Sequence, residues 1–163
     1  MDKYIKKIRR TSAIGLWGSV GAVILTALFH FVIPYRFYPS AYTSRWMLIA
    51  ATVLAVLAVS MALLTVRKQV PALRQTEGLD KKLHGYADHV GQLFIEMLVV
   101  VVLVCCFSIL SAQNMMLMFA MLCTLVLIMD YPNIYRIQVD LGLTDDEMRS
   151  LFGDKFISNE GKD

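Results

Sequence analysis

Charge is what this sequence holds least of: 18% of its 163 residues are Asp, Glu, Lys or Arg, against 57% hydrophobic residues. Soluble domains average roughly 25% charged and 45–50% apolar residues. The apolar residues here are gathered into long blocks, which argues against an ordinary water-soluble domain and for lipid as the solvent. Cysteine is scarce too. Cys105 and Cys106 are neighbours inside one apolar run and Cys123 lies in another, with no C-x-x-C and no Cys/His spacing of a metal site. Neighbouring cysteines point in different directions around a helix, so the thiols read as small apolar residues of helix walls rather than a redox pair. Also missing are a P-loop, G-x-S-x-G, H-E-x-x-H and any acid–base pair within an apolar block. No motif therefore calls for a cofactor, and an enzyme is the less favoured reading.

What is present is organised by length. A bilayer core about 30 Å thick takes roughly 20 apolar residues at 1.5 Å each. Four blocks reach or approach that length: 13–33, 46–66, 93–112 and 114–131. The last, most apolar from Met115 to Met129, is the shortest. The expected fold is an all-α integral membrane protein. Four transmembrane helices form an antiparallel bundle over residues 1–131, with 67–92 as the loop between spans two and three, and 132–163 make a short helical tail. The first block follows Lys3, Lys6, Lys7, Arg9 and Arg10. It exceeds the about 7–15 apolar residues of a secretory signal, so it reads as a retained anchor.

Lysine and arginine set the orientation, because they collect on the cytoplasmic side of membrane proteins. Fourteen lie in the N-terminal segment, the second connection and the tail, and two, Arg36 and Arg45, in the first connection. The third connection, around Gln113 and Asn114, has none. Both ends of the chain are therefore expected in the cytoplasm, with the cell (inner) membrane as the setting. Phe29, Phe31, Tyr35, Phe37, Tyr38, Tyr42 and Trp46 surround the first connection, and Tyr131 and Tyr135 follow the fourth span. Aromatic rings favour that headgroup level.

Small residues recur at spacings of three and four. The first span carries Ser12, Gly15, Ser19, Ala22 and Thr26, and the second Ala51, Ala55, Ala58, Ala62 and Thr65. Such seams let helix backbones approach closely in lipid, where apolar contact alone gives no net drive. They predict that spans one and two form a tight antiparallel pair. Met115, Met116, Met118, Met121 and Met129 of the fourth span are read as flexible core filling rather than as a soft-metal site.

Asp80, His84, Asp88, Gln92 and Glu96 recur every four residues, which on a continuous helix makes a row drifting about 40° per step. They predict an amphipathic helix running on into span three, although Gly78, Gly85 and Gly91 could each interrupt it. Glu96 lies inside the apolar block. An acidic side chain at the bilayer centre costs roughly 2.5–3.5 kcal/mol, and less near the edge. Three roles compete for it: an interfacial carboxylate, a hydrogen bond between helices, or a step in a proton or ion path. His84 and Asp88, one turn apart and followed by His89, have the spacing of two metal ligands or of a carboxylate-oriented general base. Nothing elsewhere is an obvious third ligand, although Asp130, at a similar depth, is a candidate. The same spacing suits a solvated helix face, and two ligands make no closed metal site. His30, among aromatics, reads as an interfacial residue.

The tail has local signals of its own. Pro132 ends the fourth helix, Asn133 can cap a short helix closing at Gly142, and Thr144 with Glu147 is a capping box. Asp145 and Asp146 suit the dipole of the second short helix, and Gly153 is a natural stop. Ile137, Leu141, Leu143, Met148, Leu151, Phe152 and Phe156 give the pair something to bury. From Ile137 to Asp163 there are seven acidic and three basic residues. That balance argues against nucleic acid despite an outline like a helix-turn-helix, since such binding rests on neutralising phosphates. The tail suits docking on basic segments of its own chain or on a protein.

The functional expectation is a non-enzymatic accessory, assembly or regulatory subunit. It lies in the lipid bilayer and presents its acidic tail to a membrane or cytoplasmic protein partner. The alternative is a small transporter or channel, working as a homo-oligomer, with Glu96 facing a hydrated cavity. A membrane-interface enzyme using His84, Asp88 or His89 predicts a cleft where these converge with Asp130.

Overall fold

Six helices and no strand make up the described residues, which in a computed structural model are 2–32, 40–111 and 113–152. They are α1 (Asp2–Val32), α2 (Ala41–Arg74), α3 (Leu79–Ser111), α4 (Asn114–Met129), α5 (Ile134–Leu141) and α6 (Asp145–Phe152). Tyr35, Phe37, Tyr38, Gly153 and Phe156 lie outside the described residues. α1, α2 and α3 are each long and apolar enough to cross a membrane. α4, with 16 residues, passes that test only together with α5, from which it is bent by 77°. The chain therefore has three or four helical segments able to cross. Trp17, Leu25, Phe31, Trp46, Leu57, Leu110 and Ile128 stand exposed on the outward faces, a belt that a protein in water does not leave uncovered.

The connection over 67–92 is helical over nearly all its length, as expected from Asp80 onward and beyond expectation in the stretch up to Arg74. α2 runs through Pro71 to Arg74, and α3 starts at Leu79 after a turn over 75–78 in which Gly78 has φ 93°. Pro71 forfeits one helical hydrogen bond. Burial of Val70 and the packing of Leu73 onto Gly85 of α3 offset that loss. Gly85 and Gly91 leave α3 unbroken, so the polar row of Asp80, His84, Asp88, Gln92 and Glu96 lies on one helix. At its other end, α2 begins before Trp46 because the Ser40 hydroxyl caps it, accepting from the Thr43 N–H at 3.2 Å.

α3 is the hub. It packs on α1, α2 and α4, and α4 also meets α1 and α2. The α1–α3 pair is parallel and in constant register, from Lys7 with Asp88 (81 residues apart) to His30 with Ser108 (78 apart). Between them Gly15 sits against Phe94 and Gly18 against Leu98. α2 and α4 run the other way beside α3: Leu73 meets Gly85 and Ser44 meets Ser111, while Tyr131 meets Phe94 and Met116 meets Ser111.

The expected pairing of the first two spans does not form among the described residues; α1 and α2 lie on opposite sides of α3 and α4. Both small-residue seams are turned inward all the same. Ser12, Gly15, Ser19 and Thr26 are buried on α1 with Ala22 partly so, and Ala51, Ala55 and Ala62 are buried on α2 with Ala58 partly so. A small residue permits close approach without choosing the neighbour, and here the bulkier α3 fills the space. The buried hydroxyls of Ser19 and Thr26 return hydrogen bonds of 2.8 Å to Gly15 O and Ala22 O, which satisfies them where no water reaches. The methionines also differ from expectation. Met116 is buried, whereas Met115, Met118, Met121 and Met129 face outward, since a helix apolar all round has no periodicity to mark its inner face.

At the far end of the helices, His30 Nε2 is hydrogen-bonded to Ser108 Oγ at 2.8 Å, and the Ser108 hydroxyl donates to Gln113 O at 3.1 Å. His30 thereby ties α1 to α3 and to the start of α4. The tail folds on the opposite end, where the N terminus also lies. Asn133 Oδ1 accepts from the Arg136 N–H at 2.7 Å, and Gly142 closes α5 with φ 60°. Thr144 and Glu147 exchange the two bonds of the capping box at 2.8 and 3.4 Å. Ile137, Leu141, Leu143, Met148 and Leu151 are buried.

Candidate functional site

The polar residues of α3 divide between two faces. Toward α1, Lys7 Nζ bonds Asp88 Oδ1 at 2.6 Å and His84 Nδ1 lies 2.9 Å from Asp88 Oδ2. The His84 ring tilts over Tyr4 at 5.3 Å. The hydrogen bond from Lys7 holds the Asp88 carboxyl below its usual range, with His84 adding to the effect. His84 and Asp88 are therefore together as their spacing implied, but Lys7 shares the carboxylate, and these side chains stay about half exposed. Asp130 is engaged elsewhere, paired with Arg136 at 2.6 Å. Among the described residues no group of three or more His, Cys, Asp or Glu side chains could hold a metal ion. His84, Asp88 and Asp130 are not brought together as a ligand set.

Toward α2 the same helix presents His89, Gln92 and Glu96. They form the polar mouth of a cleft of about 290 Å³ between α2 and α3, joined by Gln69 from α2. Beyond the mouth the walls are apolar, with Leu54, Leu57 and Met61 on one side and Met97 and Val100 on the other. The Gln92 amide donates to Glu96 Oε1 at 2.7 Å. His89 Nε2 is buried with no hydrogen-bond partner among the described residues. Burial pushes the His89 ring below its ordinary pKa, and the nearby Glu96 carboxylate works against that. Glu96 itself is exposed on the outer side of α3 rather than enclosed by the helices. Gln69 had no visible part in this group while 67–92 read as a loop. Its spacing from Ala58 and Ala62, which continues the small seam of α2, is the signal that could have found it.

A third polar cluster holds the tail in place. Buried Tyr86 donates to Asp140 Oδ2 at 2.8 Å. Burial, then the Asp140 carboxylate, push this phenol far above its usual pKa. Arg74 at the end of α2 donates to Val139 O at 2.7 Å and Asp140 O at 3.0 Å, the carbonyls of the last turn of α5 where a cation is favoured. Arg136 reaches Met129 O and Asp130 Oδ1, each at 2.6 Å, so it closes the bend between α4 and α5. Tyr86 and Arg74 were not legible beforehand, because nothing in their neighbourhood announces the tail as a partner. No protein-family model matches the chain, and neither a curated protein nor a solved structure matches it.

Proposed function

We propose that the chain is a multi-pass membrane protein of four spans with both ends in the cytoplasm, acting as a non-enzymatic accessory or regulatory subunit. The observation that carries the reading is the docked tail. Arg74 and Tyr86 hold α5 against the ends of α2 and α3, which makes the acidic tail a fixed surface rather than a loose extension. That docking also supports a fourth crossing, since α4 returns the chain to the end where it began. Contacts of Tyr131 with Phe94 and of Met116 with Ser111 bracket the same layer that span three occupies. Sixteen residues make about 24 Å of helix at about 1.5 Å each. The shortfall from about 30 Å is of a size that local bilayer thinning accommodates.

The outer face of this cap leaves Tyr135 and Val139 exposed one turn apart, with exposed Asp146 on the next helix. An exposed apolar pair on a folded cap is suited to a protein contact. The test is purification of the full chain from native membranes in mild detergent, beside a variant carrying Tyr135→Ser and Val139→Asp. A stoichiometric protein recovered with the wild type and lost from the folded variant supports the reading. No such protein, or one retained by the variant, contradicts it. A transport role has one observation in its favour, the exposed Glu96 at the α2–α3 cleft. Because Glu96 opens outward, its path would run between copies of the chain.

A further inference from the structure

We propose that the α2–α3 cleft binds a single phospholipid of the cytoplasmic leaflet whose headgroup carries a primary ammonium, as an ethanolamine phospholipid does. The inference rests on the membrane setting and not on the accessory role. Size comes first. A cleft of about 290 Å³ lies just under the about 300–1,000 Å³ that hold single small molecules. A partner helix, about 10 Å across with its side chains, does not enter it, whereas an acyl chain does.

Polarity then orients the occupant. The apolar walls of Leu57, Met61, Met97 and Val100 lead to a mouth made by Gln69, His89, Gln92 and Glu96. Glu96 lies three residues beyond Leu93, about 4.5 Å along the helix at about 1.5 Å per residue. That is the depth at which headgroups give way to acyl chains.

The chemistry of the mouth selects the headgroup, because the one charge among its lining residues is the Glu96 carboxylate. Glu96 has Oε1 bonded by Gln92 and carries no ion pair among the described residues. The side chains of Gln92 and, across from it on α2, Gln69 line the same mouth. A primary ammonium offers three donors and no acceptor, so it pairs with the Glu96 carboxylate and keeps donors for an amide oxygen at the mouth. A trimethylated ammonium has the charge without the donors. A glycerol headgroup has donors without the charge.

The experiment uses the full-length protein, delipidated in mild detergent and titrated with phospholipids of identical acyl chains bearing ethanolamine, choline or glycerol headgroups. Binding is read by native mass spectrometry. One ethanolamine lipid per chain is expected, retained at least tenfold over the other two. Glu96→Gln removes that preference, and Met61→Trp, which fills the apolar half from an exposed position, lowers retention of all three alike. Equal retention of the three headgroups by the wild type overturns the proposal whether or not either variant folds. So does a preference unchanged in folded Glu96→Gln. A chain that stays dimeric after delipidation and excludes the ethanolamine lipid overturns it in favour of a second copy on this face.

Discussion

Adding one methyl group at Gly15 is the sharpest perturbation the helix packing offers. A Cβ built there meets both the Phe94 Cβ and the Phe94 carbonyl oxygen at 2.8 Å. The obstacle is backbone, which no rotamer change relieves, so α1 must move off α3. Overpacking of this kind costs about 1–3 kcal/mol. Gly15→Ala is therefore expected to lose stability by that amount in unfolding from mixed detergent micelles, followed by helical circular dichroism. Gly21 supplies the control. It lies on the same helix with nothing within 4 Å of its added Cβ, and Gly→Ala in a helix gains up to about 1 kcal/mol of propensity. Phe94→Ala should not rescue Gly15→Ala, because the carbonyl remains. A Gly15→Ala protein as stable as wild type, or a Gly21→Ala protein damaged as much, would refute the close α1–α3 approach.

Three further outcomes follow from the cap and the basic end of α1. Tyr86→Phe removes a buried hydrogen bond to a carboxylate, a change of about 1.5–3 kcal/mol. Together with Arg74→Ala it should speed proteolysis of 134–152 relative to the helices; an unchanged digestion pattern would show that the tail is held otherwise. Gly142→Ala, at φ 60°, should cost about 1–2 kcal/mol through the left-handed backbone. A melting temperature equal to wild type would contradict that. Asp88 has its folded-state pKa lowered by Lys7, so its contribution is present above the ordinary carboxylate value of about 3.9 and fades as the pH falls below it. Stability should therefore decline below about pH 4 less steeply in Asp88→Asn than in wild type; equal slopes would remove the Lys7–Asp88 pair from the account.

Much of this structure was legible because its signals are local. Asn133, Gly142, Thr144 and Glu147 each act within one turn, and the first tail helix begins and ends, and the second begins, where those residues said. The apolar blocks were equally plain, and the row from Asp80 to Glu96 was visible, though Gly85 and Gly91 left its continuity open. The rest depends on partners distant in the chain. Gly15 and Ala55 declare close packing without naming α3 as the neighbour. α2 runs past Pro71 into a stretch expected as a connection, where Val70 is buried and Leu73 packs on Gly85 of α3. The same misreading hid Gln69, and with it the cleft that gathers His89, Gln92 and Glu96. The spacing of His84 and Asp88 was correct, but the competing Lys7 comes from 81 residues away.

The fourth crossing by α4 is the claim on which the cytoplasmic cap depends. A reporter enzyme that works only outside the cytoplasm, fused after Asp163 and separately inserted at Gln113, measures it directly. The account predicts activity from the Gln113 insertion and none from the Asp163 fusion. Activity from the Asp163 fusion would put the tail on the opposite side and leave α4 short of a span.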